Sequence, residues 1–489
     1  MNLVVVSNRV SRGKPNEPMT GGLAAALLPI VEKSGAIWVG SSGRVRDGNQ
    51  KEPFAEIEAL GTGALAMLDL PAAHYGGYYE GFANSALWPA LHSRADLIRA
   101  SQEDYASYRE VNAFMARALL RFQKPQSAFW IQDYHFLALG AELRTLGVRQ
   151  PIGFFLHTPW PTRVVIGGVP NHRELIEAML AYDLIGFQTE EDCENFLSYA
   201  EQDLGLVVRG GVVHSHHGRT RASVFPIGID PQQFAQLAAK AVTHPDVSRL
   251  RRSLNGEKLA IGVDRLDYSK GLINRIKAFD RMWTLHPSLK RSVSLLQIAT
   301  PSRGAIEAYG NLQSDVAKLV SDVNGLHGEV DWTPIRYLNK GYSQAVLAGL
   351  YRTAQVGVVT PLQDGMNLVA KEYVAAQNPV DPGVLVLSKF AGAANELDTA
   401  LIVNPHDIDA MARTIAVAVS MPLTERRMRW EAMMAKLRKG TIQQWFADFT
   451  DALWDSRVDR IETCPSEDVI ADPLAARQLR PVTNGARFH

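Results

Sequence analysis

VGVVTPLQDGMNLVAKE, residues 356–372, passes from a β-branched apolar run at Val356–Thr360 through a short polar loop into a segment of helical composition. A strand that runs through a loop into a helix is the repeating unit of a parallel sheet covered by helices. Gly365 lets the backbone turn tightly, and the amides of Met366, Asn367 and Leu368 then point out of a helix amino terminus, a setting that binds phosphate. Glu372 lies two turns beyond Asp364, where it can accept hydrogen bonds from a ribose diol while the amides hold a diphosphate. On spacing alone, an aspartate N-cap followed by an ordinary amphipathic helix carries equal weight.

The same alternation extends over almost the whole chain. Downstream of the midpoint, strands are predicted at Leu259–Val263, Val293–Ile298, Val356–Thr360, Val384–Leu387 and Leu401–Val403. Upstream they are predicted at Leu3–Ser7, Ile37–Gly40, Ala128–Gln132, Ile152–His157 and Leu184–Gln188. Val111, Phe114, Met115, Ala118, Leu119 and Phe122 recur at helical spacing and mark one buried helix face. The fold class is therefore α/β, with two doubly wound, Rossmann-like domains. They divide at PIGIDP, Pro226–Pro231, into residues 1–230 and 231–440. A helix over about 441–456 is expected to pack back on the first domain, and 462–489, polar and proline-containing, is expected to be a mobile tail. Two such domains place the carboxyl ends of both sheets along one cleft, where open α/β sheets bind ligands.

The composition fits this reading and narrows the function. The 489 residues exceed one ordinary core, and 46% hydrophobic with 21% charged residues is globular usage. Fifty-one basic residues balance 51 acidic ones, so no overall field draws the chain to nucleic acid or to an anionic membrane. Cys193 and Cys464 lack any CxxC-like spacing, which argues against a disulfide framework and against zinc. The apolar run Leu3–Val6 is too short for a signal peptide, and no stretch approaches the roughly 20 apolar residues of a membrane span. A cytoplasmic location is expected.

Other polar residues also end strands. VDRLDYSKG, Val263–Gly271, carries Arg265 and Lys270, two cations that could neutralise a diphosphate leaving group, although each alone is more often half of a surface ion pair. SNR, Ser7–Arg9, follows the first strand, and Gly21-Gly22 opens the first helix, where backbone can approach a ligand closely or simply turn. Tyr79 and Trp88 flank an asparagine-containing loop and are candidate sugar-stacking rings, although aromatic residues are more often core. Asp133 and His157 end apolar strands and converge on the cleft. Three patterns are set aside. Gly61, Gly63 and Ala66 match GxGxxA, but Pro71 follows too soon for a dinucleotide helix. His214, His216 and His217 sit in a polar hairpin-like stretch, and Asp407 with Asp409 opens a helix, which is capping chemistry.

Taken together, SNR, GGL, NSALWPALH, DYH, GFFLHTPWP, GFQTE, PIGID, RLDYSKG, TPSRG, DGMNLVAKEYVAAQ and SKFAGAANEL, in this order between about Leu3 and Trp454, resemble the trehalose-6-phosphate synthases. These are retaining glycosyltransferases of the two-Rossmann GT-B fold. The resemblance implies transfer of glucose from UDP-glucose to glucose 6-phosphate, with no cofactor and no metal ligands. It implies that Arg265 and Lys270 grip the donor diphosphate, that backbone from Gly365 through Met366, Asn367, Leu368 and Val369 meets it, and that Glu372 holds the ribose. Gly21 and Gly22 would close over the donor from the other domain, with Tyr342 near the nucleotide. Arg9, Tyr79, Asp133 and Arg303 would bind glucose 6-phosphate, and His157, Trp88 and Asp364 would orient the transferred glucose, Trp88 also bordering the acceptor.

The resemblance further implies that the leaving diphosphate takes the acceptor's proton on the same face. No DxDGT-like motif follows Trp454, so a separate phosphatase is expected to receive the product, and the enzyme is expected to be an assembly of identical subunits. Two rival readings remain at the level of sequence. One is a relative with another acceptor, such as glycerol 3-phosphate; the other is an inactive sugar-phosphate sensor, in which some charged site residues would be lost.

Overall fold

The computed structural model describes residues 2–12, 22–46, 55–302 and 306–462. Gly21, Arg303 and the stretch 463–489, for which mobility was expected, lie outside the described residues. The first sheet contains β1 (Asn2–Arg9), β2 (Ile37–Arg46), β3 (Ala55–Leu60), β4 (Gly63–Pro71), β5 (Ser127–Gln132), β6 (Ile152–Phe155), β7 (Leu184–Phe187), β8 (Val207–Arg209), β9 (Val212–Ser215) and β10 (Gly218–Val224). The second contains β11 (Lys258–Arg265), β12 (Val293–Thr300), β13 (Ile335–Leu338), β14 (Val356–Val359), β15 (Val384–Ser388) and β16 (Leu401–Val403).

The first sheet runs β3-β4-β2-β1-β5-β6-β7-β10-β9-β8, parallel from β4 to β10 with antiparallel strands at both edges. The second runs β13-β12-β11-β14-β15-β16 and is parallel throughout. In each sheet the winding reverses once, between β1 and β5 and between β11 and β14. These are the switch points at whose carboxyl ends a crevice opens.

Burial follows the period of two expected of strands covered on both faces. Val4 and Val6 belong to one core, while Leu3 and Val5 point into another. That second core is continuous from Val5 and Trp130 in the first sheet to Ile261 and Leu385 in the second. The helix Ile442–Glu462 joins them. Its Trp445, Phe449 and Leu453, four residues apart and buried, lie on one face. Trp130 stacks on Phe449 at 4.7 Å, and Phe155 and Phe225 meet the same ring edge-on. The last helix meets β5 and β6 through these rings, and it runs on to Glu462 rather than fading after Trp454.

Several expectations need correction. β3, β8, β10 and β13 do not read as apolar runs because they lie at or near a sheet edge with solvated residues, as in AEIEAL with only Ala55 buried, and β9 is only four residues long; β4, by contrast, is apolar and buried from Leu65 through Leu68, and the sequence reading omits it. Gly61 and Thr62 form the two-residue turn of the β3-β4 hairpin, so the GxGxxA match is a hairpin and not a nucleotide loop. β6 ends at Phe155, and His157 lies in the loop beyond it. The helical face around Val111 is buried as predicted, on Gln102–Leu119 and the turn after it, with Ser101 capping through the amide of Asp104.

Candidate active site

Both switch points carry the residues singled out from sequence. At the first, Arg9 ends β1, Asp133 follows β5, and His157 lies in the loop after β6. Asp133 has φ 75° and ψ 166°, a region nearly reserved for glycine that costs on the order of 1–3 kcal/mol and is kept where the surroundings fix it. Its amide donates to the Phe155 carbonyl at 2.8 Å, and its carboxylate accepts from the His157 amide at 3.3 Å. The His157 ring lies 2.9 Å from the Gln132 amide oxygen through Nε2, and burial pulls its pKa down to about 3. The imidazole is therefore neutral at physiological pH, with Nε2 protonated.

Tyr79 comes from an unusual element, a π-helical stretch over Gly76–Leu87. It stands between Tyr75, at 5.6 Å, and His135, at 5.9 Å, both nearly parallel to it. The hydroxyl of Tyr78 donates to Asn8 at 2.8 Å and brings this stretch over the end of β1. Asn84, the asparagine of the NSALWPALH motif, is spent inside the protein. It donates to the Tyr79 carbonyl at 2.7 Å and accepts from Tyr134 at 2.8 Å. Trp88 follows directly and is buried.

At the second switch point, Arg265 ends β11 and Lys270 closes a 3₁₀ turn, Tyr268–Lys270. Arg265 lies over the Trp88 indole at 5.2 Å, so a cation from the second sheet rests on a ring carried by the short helix Trp88–Leu91 of the first half. It makes no ion pair among the described residues. Lys270, by contrast, is mostly buried and sits 2.6 Å from Asp364. Burial pushes the Asp364 carboxyl up, but Lys270 and the amide of Asn367, which donates to it at 2.8 Å, more than offset this and hold it below the usual carboxylate range.

The helix of the opening motif begins at Leu368, and its N-cap is Asn367, with φ 77° and a side chain that accepts from the Ala370 amide at 3.2 Å. The aspartate-cap reading is therefore wrong. Asp364 is free of capping and pairs with Lys270, while Leu368 and Val369 occupy the first turn, where amides have no intrahelical partner. Met366 is buried and its carbonyl accepts from Ala393 at 2.8 Å. Gly365 is required by proximity, since a Cβ there would strike the carbonyl of His157 from the opposite sheet. Glu372 is partly exposed on the same helix, and its environment pushes its pKa up to about 7, with Gln344 opposing the rise. Tyr342 is partly buried with Lys340 above its ring at 5.1 Å.

The structure thus brings together His157, Gly365, Asp364, Lys270, Arg265 and Trp88 across one cleft, with Asp133 beside His157. Arg9 is exposed at the end of β1, its guanidinium over Gly43. Gly22 begins the helix Gly22–Ser34. The patterns set aside stay outside this group. His216 and His217 lie in the β9-β10 turn with their rings 3.9 Å apart and tilted, and Asp407 caps Ile408–Ser420 while Asp409 pairs with Arg281.

Two residues that the sequence did not mark complete the site. His92 donates from Nδ1 to the Trp88 carbonyl at 2.8 Å, and its ring lies 4.0 Å from the indole that carries Arg265. Burial, with Lys270 adding to it, brings its pKa down to about 4. Arg275 has no exposure. It pairs with Asp264, donates to Gln297 at 2.9 Å and to Thr360 at 3.1 Å, and reaches the Lys270 carbonyl at 3.4 Å. It ties the two loops of the second switch point from below. The available signal was a charge inside an apolar helical face, LINRIKAFDRMW.

Comparison with known proteins agrees with this arrangement. The model of glycosyltransferase family 20 matches residues 3–455. A trehalose-6-phosphate synthase of Sinorhizobium fredii is 45% identical over 454 residues, 92% of this chain and 98% of that protein. The solved alpha,alpha-trehalose-phosphate synthase (UDP-forming) of Burkholderia xenovorans in complex with glucose-6-phosphate is 43% identical, with a TM-score of 0.89 over 93% of this chain and 100% of that one. The E. coli protein bound with UDP-2-fluoro glucose is 39% identical, with a TM-score of 0.87 over 93% and 99%. Paired doubly wound sheets, strand-end residues meeting across the groove and a match over nearly the whole chain make the fold GT-B, and the chain belongs to glycosyltransferase family 20.

Proposed function

We propose that the chain transfers glucose from UDP-glucose to glucose 6-phosphate with retention, giving alpha,alpha-trehalose 6-phosphate and UDP. The observation that carries this reading is the convergence of Arg265, the Lys270–Asp364 pair and the Gly365 turn that precedes the Leu368 helix on His157 and Trp88 of the facing half. Residues 231–440 would bind the donor and 1–230 the acceptor. Arg265 and the amides of Leu368 and Val369 hold the diphosphate, and Glu372 accepts from the ribose. When the donor enters, Lys270 passes from Asp364 to a phosphate oxygen, and Asp364 turns to a glucose hydroxyl. Tyr342 lies along the nucleotide, and Gly21 and Gly22 close over it.

On the acceptor side, Arg9 and Arg303 meet the phosphate of glucose 6-phosphate, Asp133 a hydroxyl, and Tyr79 a face of the sugar. Neutral His157 and Trp88 orient the transferred glucose. The bond from the anomeric carbon to the diphosphate breaks as the acceptor oxygen bonds to that carbon on the same face, and the acceptor proton passes to the departing diphosphate. Arg265 and Lys270 stabilise the charge that develops there, and the fixed geometry lowers the entropic part of the barrier. An assembly of identical subunits in the cytosol, handing product to a separate phosphatase, completes the proposal.

Acceptor choice tests it. Arg9→Ala is expected to raise KM for glucose 6-phosphate about tenfold or more, as loss of a charged phosphate contact does, with little change in KM for UDP-glucose. Equal turnover with glycerol 3-phosphate in the unmodified protein would contradict the acceptor assignment.

A further inference from the structure

Lys371 is a lysine with no solvent exposure, one residue before Glu372. Its ammonium donates to Glu396 at 2.6 Å and to the backbone carbonyl of Ile227 at 2.7 Å. Ile227 belongs to the stretch 226–231, where the chain crosses from the first sheet to the second. It crosses back at 439–442 to reach the last helix. The two crossings touch through backbone. Ile442 donates its amide to Ile229 at 3.1 Å, Ile229 and Thr441 form a parallel bridge, and a Cβ on Gly228 would strike the carbonyl of Gly440. Glu396 approaches the second crossing, its other oxygen 3.4 Å from where a Cβ on Gly440 would lie.

The segment that carries Glu396 also reaches the site loop. Gly392 donates to the Asp364 carbonyl at 3.2 Å and Ala393 to that of Met366 at 2.8 Å. The Lys371–Glu396 pair therefore stands between the double crossing and the loop and helix that carry Asp364, Leu368, Val369 and Glu372. A buried ion pair contributes little net stability over an apolar pair of similar shape, while removing one partner strands a charge. Its value here is better explained by geometry. Two acceptors from separate segments, the Ile227 carbonyl and the Glu396 carboxylate, hold the ammonium and leave the helix a single register against the crossing.

We infer that Lys371, paired with Glu396 and bonded to the Ile227 carbonyl, is a positioning residue that fixes the donor-binding helix to the pivot between the two halves. This rests on the reading of that helix as the donor site. The step that matters is the placing of the Leu368 and Val369 amides and the Glu372 carboxyl against a nucleoside diphosphate, so the effect falls on the donor and spares the acceptor.

Calorimetric titration with UDP, alongside steady-state kinetics and thermal denaturation, tests the inference. Lys371→Met alone is expected to lower Tm, because it strands Glu396. The double variant Lys371→Met/Glu396→Leu is expected to regain most of that Tm yet bind UDP about tenfold or more weakly, the cost of a small misplacement, with KM for glucose 6-phosphate changed less than about twofold. Glu396→Gln, the milder change, keeps the Ile227 bond and is expected to weaken UDP about threefold. Arg265→Ala serves as the control. Wild-type UDP affinity in the double variant, or in Glu396→Gln should the double variant not fold, overturns the inference if Arg265→Ala weakens UDP. Should Arg265→Ala also bind UDP normally, the donor reading itself fails, and the inference with it.

Discussion

At the second switch point the cleft holds two cations in different ways. Arg265 and Lys270 read as a matched pair of cations; the structure divides them, leaving Arg265 on the Trp88 ring and Lys270 beside Asp364. His92, Gln132, Arg275 and Lys371 escaped notice because each bonds to residues remote in sequence, or to backbone, so spacing holds no trace of them. Arg265→Ala is expected to lower turnover about a hundredfold or more with the fold intact, as loss of a preorganised charge does, and unchanged product release would refute its role. Asp133 predicts an opposition between stability and activity. Asp133→Gly relieves φ 75° and is expected to be about 1 kcal/mol more stable than Asp133→Ala, with both inactive, checked by denaturant titration.

Glu372 gives a pH test at the same scale. Its pKa near 7 exceeds the ordinary 4.5, so between these values the folded chain keeps a proton that the unfolded chain has lost. Its contribution to stability is full below the unfolded pKa and is lost as pH rises through 7. A ribose diol donates, and the ionised carboxylate only accepts, so donor binding favours ionisation. UDP affinity is expected to rise between about pH 5.5 and 8 and to lose that part of its slope in Glu372→Gln, measured against the unmodified protein in the same buffers.

Most of the fully buried strands read from sequence, with β4 the exception, and the short edge strand β16 reads as well. β5, β6, β7, β11, β12, β14 and β15 are covered on both faces and read as continuous apolar runs. The edge strands β3, β8 and β13, and β9 beside β8, alternate or are short and do not read from the sequence. The sequence predicts the helix of the opening motif and leaves an aspartate cap at Asp364 as one of two equal readings; the cap is Asn367, with positive φ. In the last helix, Phe449 has no exposure and the rings of Trp130, Phe155 and Phe225 around it. Phe449→Ala is expected to cost about 3–5 kcal/mol, read as a large drop in the denaturation midpoint. A change under about 1 kcal/mol would mean that this helix is not part of the folded unit.

For the molecule as a whole, the two switch points matter more than any single motif. The order of β13-β12-β11-β14-β15-β16 and of the parallel strands around β1 and β5 could not be read from one sequence, since strand order depends on pairing between distant segments. Once it is known, the positions of Arg9, Asp133, Arg265 and Asp364 follow from topology, because each follows a strand that borders a reversal. The cleft between those ends is the physical basis for joining two sugars. The most direct test is to incubate the purified protein with glucose 6-phosphate and UDP-, ADP- or GDP-glucose in turn and identify the product by NMR and mass. The account predicts alpha,alpha-trehalose 6-phosphate in step with UDP release, and only when glucose 6-phosphate is present. Nucleotide release that yields free glucose, or none of the disaccharide phosphate with any donor, would contradict it.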